Sequence, residues 1–411
     1  MNSETFQYPF HSIEEIEQII RWINQEYSFF CLTSGNDHRY PQGTFPNQIL
    51  AGNTAIEADE LWNSKAENIA GIISYDFKNQ LENLKSENPA WIPLPDLTFF
   101  KREIKINWDS ETIYSSFEIP GYVWDQGKNQ YKNEKVEITP LTSKEAYLEN
   151  FKKVQNEIIE GNTYEMNYCI SFEGKTSQFD PISAFFDLMN LSPMPFSALF
   201  KANSKFLISA SPERFLKKTG DRLIAQPIKG TAKRGNTEEE DIQNKSFLQQ
   251  SEKEQAENLM ITDLMRNDLS KVSETGSVKV PELFGIYSFP KVHQMITTVS
   301  SQLKANTTFR EIIEATFPMG SMTGAPKIKT MEIIDQLENF KRGWFSGSLV
   351  ILGENGDFDS SVIIRSIISD LEENKLYFGV GSAITIDADP NAEYEECLLK
   401  AGAILEILSG K

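Results

Sequence analysis

The segment SSVIIRSIISD, residues 360–370, sets the first limit on what this chain can fold into. Read as a strand, it puts Ser361, Ile363, Arg365, Ile367 and Ser369 on one face. Val362, Ile364, Ser366 and Ile368 fall on the other. Both faces are largely apolar, so the strand must be covered on both sides, which a layered structure provides. A buried guanidinium in such a strand needs a partner. That partner is either an internal Asp or Glu, or a ligand carboxylate gripped through two N–H groups.

The rest of the pattern agrees with layers. A helix is expected at 12–25, followed by β-rich segments such as SFFCLTSG and NIAGIISYDF. Residues 126–140, QGKNQYKNEKVEITP, read as a linker or long surface loop between a first portion, 1–125, and a second, 141–411. From 141 a helix is expected, with Thr142 and Glu145 as a capping box and Leu148, Phe151, Val154 and Ile158 as its apolar stripe. Strands are expected at 166–173, 196–201 and 205–210, and a hairpin turning at Thr219-Gly220-Asp221. Further helices are expected at 252–268, 308–316, 326–339 and 391–408, and strands at 345–352, 361–369 and 375–381. Strands and helices do not alternate as in a doubly wound fold, so the expectation is a large α+β structure.

Charge narrows the function. The net charge is -19, which makes nucleic acid and anionic membranes poor partners. An anionic substrate would have to be held by local cations or a metal. No apolar run approaches a membrane span. The N-terminal residues lack the pattern of a secretory signal, and the three cysteines are far apart, so the expected location is a reducing cytoplasm.

Several segments could carry chemistry. Glu254 and Glu257 lie three apart in one expected helix, and Glu393 and Glu396 in another. Each pair shares a helix face. Facing one another, the two pairs would suit a hard cation such as Mg²⁺. Structural roles are also open: Glu254 completes a capping box with Ser251, and Glu396 can pair with Lys400. FPMGSMTGAPKIKTMEII is a Gly-rich loop opening a helix, whose free N–H groups suit an anion, though the spacing is not that of a Walker loop. In QPIKGTAKRG a strand-like run delivers Lys229 into a Gly-flanked turn, with Lys233 and Arg234 behind it. Lys229 is either an ordinary edge lysine or, if burial and those cations keep its amine neutral, a nucleophile or base.

Together SPERF, QPIKGTAKRG, AENLMITDLMRNDLSKV, GSMTGAPKIKTMEII, RGWFSGS, SVIIRSI and DADPNAEYEECLLKA resemble, in this order, the chorismate-utilising enzymes. That family includes anthranilate, aminodeoxychorismate, isochorismate and salicylate synthases. The resemblance spans roughly 141–408. It implies a large two-sheet β-sandwich with helices packed outside, and a Mg²⁺-dependent reaction on chorismate. By the same resemblance, Glu257 and Glu396 bind the metal, and Glu254 and Glu393 hold its waters. Arg365 grips a substrate carboxylate, and Ser321, Thr323, Gly324 and Ala325 contact the substrate.

The form PIKGT resembles the branch that makes 4-amino-4-deoxychorismate, where anthranilate synthases carry alanine in place of Lys229. In that branch the lysine attacks C2 of chorismate, and Glu213 protonates the departing C4 hydroxyl. Thr231 would line the same pocket. The ammonia would come from a separate glutamine amidotransferase, because no cysteine here lies in a G-x-C-x-G setting. Three positions depart from the wider family: Gln294 stands where many members have histidine, Phe345 where tyrosine often stands, and Ala383 where glycine is common. His293 is one residue off and would face the other way in a strand.

Overall fold

The computed structural model describes residues 5–63, 68–124 and 133–409. Two antiparallel sheets dominate it, one of twelve strands and one of ten among the described residues. Helices pack against them, as expected for an α+β sandwich. The first portion of the chain supplies strands to both sheets. Phe29–Ser34 pairs with Phe196–Ala202 in the larger sheet, and Ile69–Ile73 pairs with Ser348–Leu352 in the smaller. Between the sheets lies a core containing Phe100, Phe200, Phe215, Trp344 and Leu349. A second core, with Ile19, Phe151, Phe185, Phe378 and Ile404, fills the space between the larger sheet and its helices. Among the described residues no helix is long and apolar enough to cross a membrane.

Most of the expected elements form. The helix Ile13–Glu26 buries Ile16, Ile19, Ile20 and Ile23 along one side, and the hairpin closes with Thr219 opposite Arg222. The helix expected from 141 runs Lys144–Ile159, but its cap is Ser143, whose hydroxyl accepts the N–H of Ala146. Thr142 is drawn off by Asn339, to which its hydroxyl donates at 3.1 Å. Residues 125–132 of the expected linker lie outside the described residues. Its later part holds the strand Ile138–Pro140, which pairs with Glu165–Lys175.

Two expected strands are broken. The run into Lys229 is interrupted at Gln226-Pro227. Arg222–Ala225 and Ile228–Lys233 both pair with Val292–Gln302, at successive stretches of it. Residues 361–369 are not one strand either. Phe358–Val362 belongs to the smaller sheet and Ser366–Asp370 to the larger. Residues 363–365 are the crossing between them.

One buried ion pair ties several of these pieces together. Arg342 and Glu338 are almost wholly inaccessible and meet through Arg342 Nη2 to Glu338 Oε1, 2.5 Å, and Nε to Oε2, 2.9 Å. The remaining guanidinium N–H groups donate to the carbonyls of Met322 and Asn167 and to the Ser346 hydroxyl oxygen. Glu338 Oε1 also accepts the N–H of Cys169. Removing one partner of such a pair strands a buried charge, typically at a cost of 3–5 kcal/mol. Glu338→Ala should therefore lower the urea midpoint by an amount equivalent to about 3 kcal/mol or more. A loss under about 1 kcal/mol would show that the pair does not hold the loop to the strand.

Candidate active site

The chain passes between the sheets at two adjacent points. It leaves the larger sheet at Ser211 and enters the smaller at Arg214, then returns from Val362 to Ser366. The two crossings are bonded together: the Val362 N–H donates to the Glu213 carbonyl at 3.0 Å, and the Ala210 N–H to the Arg365 carbonyl at 3.1 Å. Glu213 and Arg365 are the residues placed in them.

Arg365 is not on a regular strand, so the face alternation expected for it does not apply. Its φ is +51°, in the left-handed region that a side chain seldom adopts. Burial lowers its pKa, and no neighbouring charge opposes that shift. Its polar contact is Met194 Sδ at 4.0 Å. Among the described residues no carboxylate pairs with it. Of the two partners open to this guanidinium, the internal acid is therefore not the one found, and a ligand anion remains.

Lys229 is on the strand at one end of the smaller sheet. Its Nζ lies 2.6 Å from Glu165 Oε1, on a strand near the end of the larger sheet. The side chain of Lys229 is 11% exposed and that of Glu165 1%. Burial by itself pushes the lysine down, but Glu165, Glu257 and Glu396 together raise it above the usual lysine range. The expectation that Lys233 and Arg234 keep this amine neutral is thus overturned. Arg234 is committed to Asp241, at 2.6 and 2.8 Å, and to the Phe289 carbonyl. Lys233 is exposed.

Glu213 is 5% exposed. Burial pushes its carboxyl up to about 7, while Ser321, the Ile228 N–H, Lys229 and Lys400 pull it only part of the way back.

The Gly-rich loop is held against the strand that carries Glu165. Ala325 pairs with Glu165 and Gly324 with Met166. The Asn167 side chain donates to the Ser321 carbonyl at 2.9 Å. At Gly324 φ is +150°, and an added Cβ would fall 2.0 Å from the Glu165 carbonyl oxygen, so this approach requires glycine. The Thr323 hydroxyl is turned inward, donating to Met319 and Gly320 carbonyls. The helix after the loop, Lys327–Leu337, is capped by Pro326.

The two glutamate pairs face each other. Glu257 is pushed up to about 7, first by burial and then by the charges of Glu165 and Glu254, with Lys229 and Lys253 opposing. Glu254 and Glu393 are also raised, by burial and by Glu396. Glu396 is lowered, because Lys400 and other lysines outweigh its burial. Its pairing with Lys400, 2.7 Å, forms as the helix spacing allows. The Ser251 hydroxyl caps the first helix by accepting the Glu254 N–H. Among the described residues no three carboxylate, imidazole or thiolate groups converge as a metal cage. Mg²⁺ does not require one, since it takes one or two carboxylates and keeps several waters. The crowding that raises Glu254, Glu257 and Glu393 fits a site for a hard cation.

Four other expected positions have different surroundings. Thr231 is exposed and sits opposite Gln294. Gln294 is buried, and His293 faces away, held by Asp241 at 3.0 Å and Ser288 at 2.8 Å. Ala383 is paired with Asn167. Phe345 is fully buried, its ring pressed on Gly379.

Two residues that sequence reasoning missed matter most here. Glu165 opens an apolar strand, with no spacing signal to mark it. Asn258 is wholly buried, and its side-chain amide donates to the carbonyls of Lys229 and Met295. It thereby fixes the helix Glu252–Val272 to the strand of Lys229. Two buried oxygens of the site, Glu165 Oε2 and Gln294 Oε1, have no hydrogen-bond partner among the described residues. Buried polar groups are seldom left so, and these mark where ligand donors would be received.

Comparison with known proteins agrees with this geometry. A family model described as chorismate binding enzyme matches residues 30–406. Aminodeoxychorismate synthase of Arabidopsis thaliana is 41% identical over 67% of this chain, which spans 30% of that protein's length. The chain thus spans about a third of the plant relatives it matches. Aminodeoxychorismate synthase component 1 of Escherichia coli K12 is 38% identical, over 82% of this chain and 76% of that protein. Among solved structures, anthranilate synthase component I of Streptococcus pneumoniae superposes with a TM-score of 0.74 at 20% identity, over 98% of this chain and 92% of that one. The menaquinone-specific isochorismate synthase of Escherichia coli gives 0.75 at 14% identity, over 98% and 94%. These likenesses bear out the two-sheet fold, and the chain belongs to the chorismate binding enzyme family.

Proposed function

We propose that this chain converts chorismate and ammonia to 4-amino-4-deoxychorismate, acting as an aminodeoxychorismate synthase component I. The observation that carries the reading is the buried Lys229 amine, 2.6 Å from Glu165 and within the influence of Glu213 and the paired glutamates. Relatives named aminodeoxychorismate synthase support it. By the "component 1" naming of the bacterial relatives, a separate glutamine amidotransferase would supply the ammonia.

Arg365 binds a substrate carboxylate, since its guanidinium has no internal acid to satisfy it. Glu257 and Glu396 would hold Mg²⁺, and Glu254 and Glu393 its waters. When bound, the ion offsets the charge of the dianionic substrate. Lys229 must lose a proton before it can act, and Glu165 Oε1 is the acceptor in contact with it. The freed amine bonds to C2, and the C4 hydroxyl leaves with the proton of Glu213. Ammonia then bonds to C4, the C2–N bond breaks, and the lysine amine is released.

Lys229→Ala should reduce C4 amination by orders of magnitude while chorismate still binds with an affinity within a few-fold of the parent. Full output of aminodeoxychorismate from the variant would remove the covalent role. The product formed by the purified chain from chorismate, Mg²⁺ and ammonium tests the reaction itself. Anthranilate, or isochorismate formed without ammonium, would replace this reading.

Glu213 acts as an acid only while it carries its proton. With its carboxyl at about 7, the protonated fraction falls roughly tenfold per pH unit above that value. kcat/KM for chorismate should therefore decline as pH rises through about 7. Glu213→Gln should abolish this limb and lower kcat by about 10²–10⁴-fold. A variant that retains the limb would assign it to another group.

A further inference from the structure

Lys253 stands between the two glutamate pairs and has no place in the chemistry above. It lies one turn before Glu257, with its Nζ 3.8 Å from Glu257 Oε1 and 3.4 Å from Glu393 Oε1. It thus touches a carboxylate on each of the two facing helices, one an expected metal ligand and the other an expected holder of metal-bound water. The two carboxylate side chains are 12% and 6% exposed, whereas that of Lys253 is 56% exposed. The ammonium is therefore delivered from solvent on a flexible stem into a pair of enclosed carboxylates. The other nearby lysines are bound elsewhere. Lys400 is held by Glu396 at 2.7 Å and by the Gly381 carbonyl at 2.9 Å. Lys229 is held by Glu165. Lys253 is the most exposed of the three, at 56% against 35% for Lys400 and 11% for Lys229.

We infer that Lys253 is a tethered competitor of the divalent cation, an ammonium that must swing away from Glu257 and Glu393 before the ion binds. The inference rests on the reading that Glu257 is a metal ligand. Two cations cannot draw on the same enclosed carboxylates without repelling each other, so each weakens the other's binding. The exposed stem lets the lysine yield without disturbing either helix. Its effect is to loosen metal binding, so that the ion is held firmly only when the lysine has moved out.

The test is divalent-cation binding without substrate, measured by calorimetry with Mg²⁺ and by spin resonance with Mn²⁺. Lys253→Met keeps much of the stem and removes the charge. It should bind either ion about tenfold more tightly than the parent, and Lys253→Arg, which keeps the charge, should stay near parental affinity. In chelator the Met variant should melt at a lower temperature than the parent, and added Mg²⁺ should raise its melting temperature by more. If the parent binds the ion and Lys253→Met binds it equally or more weakly, the competition is refuted. If neither protein binds the ion, the metal assignment of Glu257 and Glu396 falls, and this inference falls with it.

Discussion

The Arg342–Glu338 ion pair is the contact on which the rest of the site hangs. A guanidinium offers five N–H groups in a rigid fork, and here they reach a carboxylate and two backbone carbonyls at once. The carbonyls belong to Met322, in the Gly-rich loop, and Asn167, on the strand that carries Glu165. Glu338 reaches the same strand at Cys169. Loop and strand are thereby fixed together, and the close approach of Gly324 to Glu165 becomes possible. Ser321 and Glu165 inherit their positions from this arrangement. A hydrophobic replacement could match the packing but would leave these carbonyls and the Cys169 N–H without their partners.

The charges of the site make sense only together. Glu165, Glu257 and Glu396 raise Lys229, whereas burial alone would have lowered it. The lysine is therefore stored as an ammonium, not as a free amine. It keeps an internal carboxylate from standing uncompensated, and its partner Glu165 is also positioned to receive its proton. Arg234 was expected to repel a proton from Lys229, but it does something different. By binding Asp241, which also holds His293, it anchors the far end of the strand on which Lys229 sits. The basic cluster that looked electrostatic is mechanical.

What could be read from the sequence follows from how local each feature is. The glutamate pairs were legible because helical spacing of three is a local fact, and the helices Glu252–Val272 and Pro390–Ser409 form where expected. That the pairs face each other came only from resemblance. Glu165 was invisible because its importance comes from Lys229, 64 residues away, across two different sheets. Asn258 was hidden for the same reason. The strand expected at 361–369 failed because apolar residues on both faces mark burial but do not reveal a change of sheet. Phe345 shows a milder case: motif order singled it out, but only packing reveals that it is buried with its ring on Gly379.

The two neighbouring crossings explain why Glu213 and Arg365 can be functional at all. A strand residue in the middle of a sandwich has its backbone committed to the ladder and its side chain to one core or the other. At a crossing the ladder is interrupted, yet the two segments here bond to each other, so the Glu213 and Arg365 carbonyls both keep backbone partners. The left-handed φ of Arg365 is sustained by that mutual support. Two side chains that burial would ordinarily forbid, a carboxyl and a guanidinium, are thus admitted between the sheets. Their costs are opposite in kind. Glu213 can escape its cost by taking a proton, which is what a general acid must carry. Arg365 cannot shed its charge in this way, and a bound anion is the partner that would relieve it.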